Sequence, residues 1–192
     1  MEVFTQHFGE WLILLIIIGL LIYTLFIIGE EKSTFKDESY EMSFDRLKLR
    51  IPTWWTLTSS TDHKVRFERT DTRYDWFANF EYVPDSVETD LPKILEDKLN
   101  LEGIEFDKDV QFETDSRVLF RNPKVQEHFQ EVIRVEGTAS QNVVDRIYYD
   151  IFIMRGLGDK GHFIFESWSS VLNGLVEGPF FEEGLAELEL KD

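Results

Sequence analysis

The chain has no cysteine. That excludes disulfide staples, thiol chemistry and a cysteine-linked lipid anchor. It does not exclude an oxidising compartment, because a domain of about 150 residues buries enough surface to fold without staples. Histidine is scarce too. His7, His63, His128 and His162 stand far apart, none within four residues of another. A structural zinc site needs cysteine or clustered histidine, and the sequence offers neither. No GxSxG frames a serine, and the glycines of Arg155–Gly161 (RGLGDKG) do not sit between a strand and a helix as a phosphate loop requires. Positive charge is short as well, with 20 basic side chains against 37 acidic ones and a net charge of −17. After residue 29 the balance is 20 against 35, a net −15. Such a field repels nucleic acid, so none is expected as a partner. Neither a metal nor another cofactor is expected, and no catalytic residue is assigned.

What is there begins with Trp11 to Ile28 (WLILLIIIGLLIYTLFII), eighteen residues without a formal charge. At 1.5 Å per residue this reaches about 27 Å as a helix, close to the roughly 30 Å of a bilayer core. The first ten residues hold Glu2 and Glu10 but no Lys or Arg, and no small-x-small site follows, which argues against a cleaved signal peptide. The reading is an uncleaved, single-pass signal-anchor. The boundaries are a short tail over 1–10, a transmembrane helix over 11–28, a polar linker over 29–39 and an α+β domain over 40–192. Membrane lipid is the expected partner of 11–28. Lys32 and Lys36 favour a cytoplasmic domain by the positive-inside rule, but Glu30, Glu31, Asp37 and Glu38 surround them and weaken that bias.

Beyond Tyr40 the periodicity is mostly two, the mark of half-buried strands. Leu47, Leu49 and Ile51 alternate with Lys48 and Arg50. Trp76 to Val83 (WFANFEYV) is a strand, and so is His162 to Trp168. Arg146 to Arg155 (RIYYDIFIMR) is apolar on both faces except at Asp150, as in a central strand. A helix is expected over Val87–Leu101, capped by Asp85 or Ser86 and ended by Gly103. A closing helix is expected over Phe180–Leu190, after a break at Gly178-Pro179. Val118 and Phe120 read as strand. This order gives an antiparallel sheet with helices laid against it.

Two constellations stand out. Asp150 lies in the most apolar strand, and a buried carboxylate needs a partner or a raised pKa. Arg134 and Arg146 are the candidate partners in a structural ion pair. Trp54 and Trp55 are neighbours, and adjacent strand residues point to opposite faces. One therefore enters the core, while the other needs a helix, a loop or a partner. Trp76 with Phe77, and Tyr148 with Tyr149, pose the same question. Trp54, Trp55, Trp76 and Tyr148 are the candidate interface residues.

Several segments carry a family likeness: the opening strands that end at Pro52 and Trp54-Trp55, VRFERT at 65–70, WFANFEYV followed by DLPKILEDKLN at 90–100, the glycine-flanked hairpin leading into GHFIFES at 161–167, and PFFEEGLAEL at 179–188. Over Tyr40 to Leu190 the chain resembles the PsbP-like fold family, which includes extrinsic photosystem proteins, a nuclear-transport GTPase-binding protein and small bacterial envelope proteins. The resemblance implies a protein that binds larger assemblies without catalysis, with its domain in the periplasm. Joined to the apolar segment, it makes the chain a membrane-anchored accessory or assembly subunit that docks on other membrane proteins. The alternatives are a membrane-tethered ligand-binding or sensor domain and an envelope enzyme.

Overall fold

The computed structural model describes residues 8–72, 75–88 and 90–191, with the side chains of 8 and 26–34 left aside. Two units separate, Met1–Ser39 and Tyr40–Asp192. The first holds one helix, α1 (Phe8–Asp37), which continues through the stretch expected as a polar linker. Every large apolar side chain described from Trp11 to Leu25 is 43–70% exposed, so none of them joins a core of this chain.

The anchor expectation is corrected here. Among the described residues no helix is long and apolar enough to cross a membrane. The expected span opens at Trp11, in the described part of α1. Glu10 stands at its start, and residues 26–28 of the expected span lie outside the described side chains. The expectations built on a span lose their support with it: the single-pass fold, lipid contact through 11–28, docking on membrane subunits, a membrane or bacterial-envelope location and a periplasmic domain. The membrane-anchored accessory role, the membrane-tethered sensor and the envelope enzyme go with them.

The second unit is α+β. In chain order it contains β1 (Ser39–Phe44), β2 (Leu47–Pro52), β3 (Thr56–Ser60), β4 (Lys64–Glu68), β5 (Trp76–Val83), α2 (Leu91–Glu102), β6 (Ile104–Phe106), β7 (Gln111–Glu113), α3 (Ser116–Leu119), α4 (Pro123–His128), β8 (Glu131–Gln141), β9 (Asp145–Arg155), β10 (His162–Ser170), α5 (Val171–Ala186) and β11 (Glu189–Leu190). The main sheet runs β3-β4-β5-β10-β9-β8-β6, with β7 also on β8; a small sheet runs β1-β2-β11. The described pairings are antiparallel. In the three-residue connection between β8 and β9, Asn142 and Val143 take positive φ, as the central residues of a type I′ turn do, and the Val144 amide donates to the Gln141 carbonyl at 3.2 Å.

Both faces of the main sheet are covered, which is why β9 is apolar on both sides. Ile147, Tyr149, Ile151 and Ile153 pack with Ile133, Val135 and Ile164 under Leu91, Ile94 and Leu95 of α2. On the other face Phe152 and Met154 join Phe67, Phe80, Phe163 and Phe165, closed by Leu47, Leu49 and Ile51 of the small sheet and Phe181 and Leu185 of α5.

Three local expectations change. α2 starts at Leu91 rather than Val87, because Asp90 is its N-cap and Pro92 occupies the first turn, where a missing N–H does no harm. Its end at Gly103 has φ 64°, the left-handed cap that glycine adopts without strain. Val118 belongs to a helical turn, held by the Asp115 carboxylate accepting from the Arg117 amide. The closing helix begins at Val171 and continues through Gly178-Pro179.

Candidate functional site

α5 is set by what lies beneath it. Gly174 and Gly178 face the Tyr148 ring. A Cβ added at Gly174 would lie 2.3 Å from Tyr148 Cβ and Cγ, and one at Gly178 would lie 3.4 Å from Cε1. Only glycine at 174 lets the helix backbone come this close. With 174, 177, 178, 181 and 185 turned inward, the opposite stripe faces out. There Leu172 is 73% exposed, Leu175 63% and Val176 57%, and Pro179 is exposed. Leu172, Val176 and Phe180 follow one another at i, i+4 and i+8, so they form a single row. Phe180 is half-buried and meets Trp54 edge-to-face with ring centroids 5.1 Å apart, which extends the row onto the segment before β3.

Glu177 fixes the junction. It is 1% exposed. Its Oε2 accepts from Trp55 Nε1 at 3.0 Å and more weakly from Trp54 Nε1 at 3.4 Å. Arg69 donates to Oε1 and is itself held by Asp71 at 2.6 and 2.8 Å. Three donors satisfy one buried carboxylate, as burial of a polar group requires. One side chain thus ties α5, the Trp54-Trp55 turn and the end of β4 together.

The four candidate interface residues separate. Trp55 is buried against Trp76, with ring centroids 4.3 Å apart, and Trp76 is buried with it. Tyr148 is half-buried under α5 and donates its hydroxyl to Glu136; burial and that carboxylate push its pKa up. Trp54 alone of the four lies beside the outward row. The pair does not sit in a strand: the Trp55 amide donates to the Pro52 carbonyl at 3.2 Å, a turn that divides the two rings between surface and core. The outward residues Leu172, Leu175 and Val176 carried a readable signal, their helical spacing, which the Gly178-Pro179 break concealed.

Asp150 is fully buried. Arg134 clasps it with two hydrogen bonds, Nε to Oδ1 at 3.1 Å and Nη2 to Oδ2 at 3.0 Å. Arg134 also meets Glu136 at 2.5 Å and Glu182 of α5 at 3.3 Å. Arg146 is not part of this cluster. Four residues along β9 amount to about 13 Å, and Arg146 instead grips Asp107 at 2.9 and 2.5 Å, holding that half-buried carboxyl well below its usual range. On the α2 face Glu166 is buried and accepts from Tyr149 OH at 2.5 Å, Asn79 Nδ2 at 2.8 Å and Lys98 Nζ at 3.1 Å. Among the described residues no group of three or more His, Asp or Glu is placed to hold a metal.

Burial pushes Asp150 up to about 7, assisted by Glu136 and Glu182 and opposed by Arg134. Between the ordinary carboxylate range and about 7 the folded chain therefore keeps a proton that the unfolded chain has lost. This group's contribution to stability falls as pH rises through that window. Urea unfolding of wild type and Asp150→Asn between pH 4.5 and 7.5 measures it. The stability of wild type relative to the variant is expected to decline with rising pH; a constant or rising difference contradicts the assignment.

No protein-family model matches the sequence, and no curated protein matches it either. Solved structures do. The Ran-binding protein Mog1p of Saccharomyces cerevisiae superposes with a TM-score of 0.52 at 8% identity, over 80% of this chain and 96% of that one. A Pseudomonas aeruginosa protein of unknown function gives 0.47 at 7% identity, over 81% and 99%. Cyanobacterial PsbP from Synechocystis gives 0.45 at 8% identity, over 79% and 91%. At such identities the likeness to Mog1p shows a shared fold, and the likeness to PsbP is partial.

Proposed function

We propose that this chain is a non-catalytic binding module whose outward α5 row, with Trp54, docks a partner protein. The observation that carries the reading is the exposure of Leu172, Leu175 and Val176 on a helix whose inner face is already anchored. Among the described residues none buries these side chains, and lysine or glutamate would solvate those positions better. Contiguous apolar surface of this kind marks protein interaction sites, and an apolar row at i, i+4, i+8 is the form in which helices meet partners.

The buried ionisable groups support the same view. Asp150, Glu166 and Glu177 are each closed within the fold by their own donors, an arrangement that fastens layers together. The fold supports it by analogy alone: Mog1p binds Ran, and the PsbP-like resemblance points to accessory proteins. The style of function is carried over, not the partner.

The test is photo-cross-linking from position 175 in cells, identification of the captured protein, and titration of that protein, purified, against wild type and Leu175→Asp. An exposed substitution of this kind alters stability by about 0.5 kcal/mol or less. Affinity is expected to fall more than tenfold with unchanged thermal unfolding. Equal affinity for both proteins refutes the reading.

A further inference from the structure

A sheet edge presents unpaired N–H and C=O groups, and proteins guard such edges with charges, proline, short length or bulges. Among the described residues most edges here are guarded. β1 carries Glu41, β6 has three residues including Glu105, β7 has three including Glu113, and β11 has two including Glu189. β3 differs. It ends the main sheet, spans five residues, Thr-Leu-Thr-Ser-Ser, all exposed, and carries neither charge nor proline. Its one guard is a register shift between Leu57 and Ser59. Leu57 is 48% exposed, and Trp54 stands two residues before the strand begins.

We propose that β3 accepts an added strand: an extended, lysine- or arginine-bearing segment of the partner protein pairs along Thr56–Ser60 and continues over Trp54. The main chain supplies the hydrogen bonds, and alternate side chains read Leu57 and the Trp54 ring. Charge selects the occupant. The chain carries −17, Lys64 and Arg66 of the neighbouring β4 are each neutralised, by Glu81 at 2.7 Å and Glu68 at 2.6 Å, and exposed Asp62 lies just past the end of β3, so a basic segment is drawn in. A second copy of this chain meets the same negative field and is repelled. The inference rests on the protein-binding reading but on a separate observation, the bare edge.

Hydrogen exchange of the full chain tests it, with a seven-residue peptide of alternating threonine and lysine as the probe and its threonine–glutamate counterpart as the control. The basic peptide is expected to slow amide exchange within Thr56–Ser60 at least tenfold. The effect should weaken with added salt, vanish in the double variant Leu57→Lys, Ser59→Lys, and survive Leu175→Asp. All β3 side chains are exposed, so the double variant keeps its fold, which circular dichroism verifies. No protection at β3 overturns strand addition, as does equal protection by the acidic peptide. Protection that grows with protein concentration before any peptide is added replaces the partner segment with a second copy and also overturns the proposal. If β3 stays unprotected while Leu175→Asp still abolishes docking of the cross-linked partner, strand addition fails and the α5 reading stands.

Discussion

At pH 8, above the range in which Asp150 holds its proton, Arg134→Met is expected to destabilise the domain by about 3–5 kcal/mol, the usual consequence of removing one partner from a buried ion pair. For a domain of this size that is a fall of about 6–20 °C in Tm. Asp150 is at 0% exposure and Arg134 at 8%, so water does not replace what the guanidinium supplied. The loss reaches beyond one pair. Arg134 also balances Glu136 and Glu182, and its guanidinium lies over the Phe152 ring at 4.9 Å. Without it the carboxylates of Asp150, Glu136 and Glu182 lose the cation they share. Adding Asp150→Asn to Arg134→Met removes the stranded charge and is expected to restore a large part of the stability. Urea unfolding of the three variants measures this. A loss under 1 kcal/mol for the single variant, or no recovery in the double, shows that the pair does not hold the layers together.

Trp55→Ala carries the second large expected effect. Trp55 is buried against Trp76 and Phe67 and donates to Glu177. Truncating a buried tryptophan costs about 3–5 kcal/mol through lost packing and the cavity left behind, and Glu177 loses a donor as well. Trp54→Ala, one residue earlier, should cost about 1 kcal/mol or less, because that ring is half exposed and packs chiefly on Phe180. Its effect should appear in partner affinity instead. Thermal unfolding and partner titration of the two variants separate the roles. Equal destabilisation by both contradicts the division of the pair between core and surface.

Much of the domain was legible in the sequence because its signals are local. The alternation in WFANFEYV gives β5 with its observed bounds, and the doubly apolar RIYYDIFIMR reads as the central strand that β9 is. Less legible were the segments where a single residue decides the outcome. Ser86 resembles the N-cap of α2, yet its hydroxyl donates to the Glu88 carbonyl at 2.6 Å, and the helix waits for Asp90. The four-residue α3 is too short to show a period.

The site was half visible. Strand alternation indicated that one tryptophan of the pair is buried and the other is not, but which one follows from the turn at Pro52 and from Glu177, 122 residues further on. The outward row escaped because Gly178-Pro179 reads as a helix break. In the folded chain Gly178 faces Tyr148, and Pro179 sits on the exposed side, where the hydrogen bond it cannot donate leaves a carbonyl to water. The apolar run after Trp11 shows the opposite failure. Composition suggested a span, whereas among the described residues no helix is long and apolar enough to provide one.

The central claim is that the α5 face and Trp54 form the working surface. The most direct measurement is the hydrogen-exchange and cross-linking footprint of the purified partner captured from position 175. The account predicts that protection and cross-links gather on residues 172–180 and Trp54. A footprint elsewhere, for instance on the charged groove of about 330 Å³ around Lys48, Arg50 and Arg121, with the α5 row left open, would contradict it.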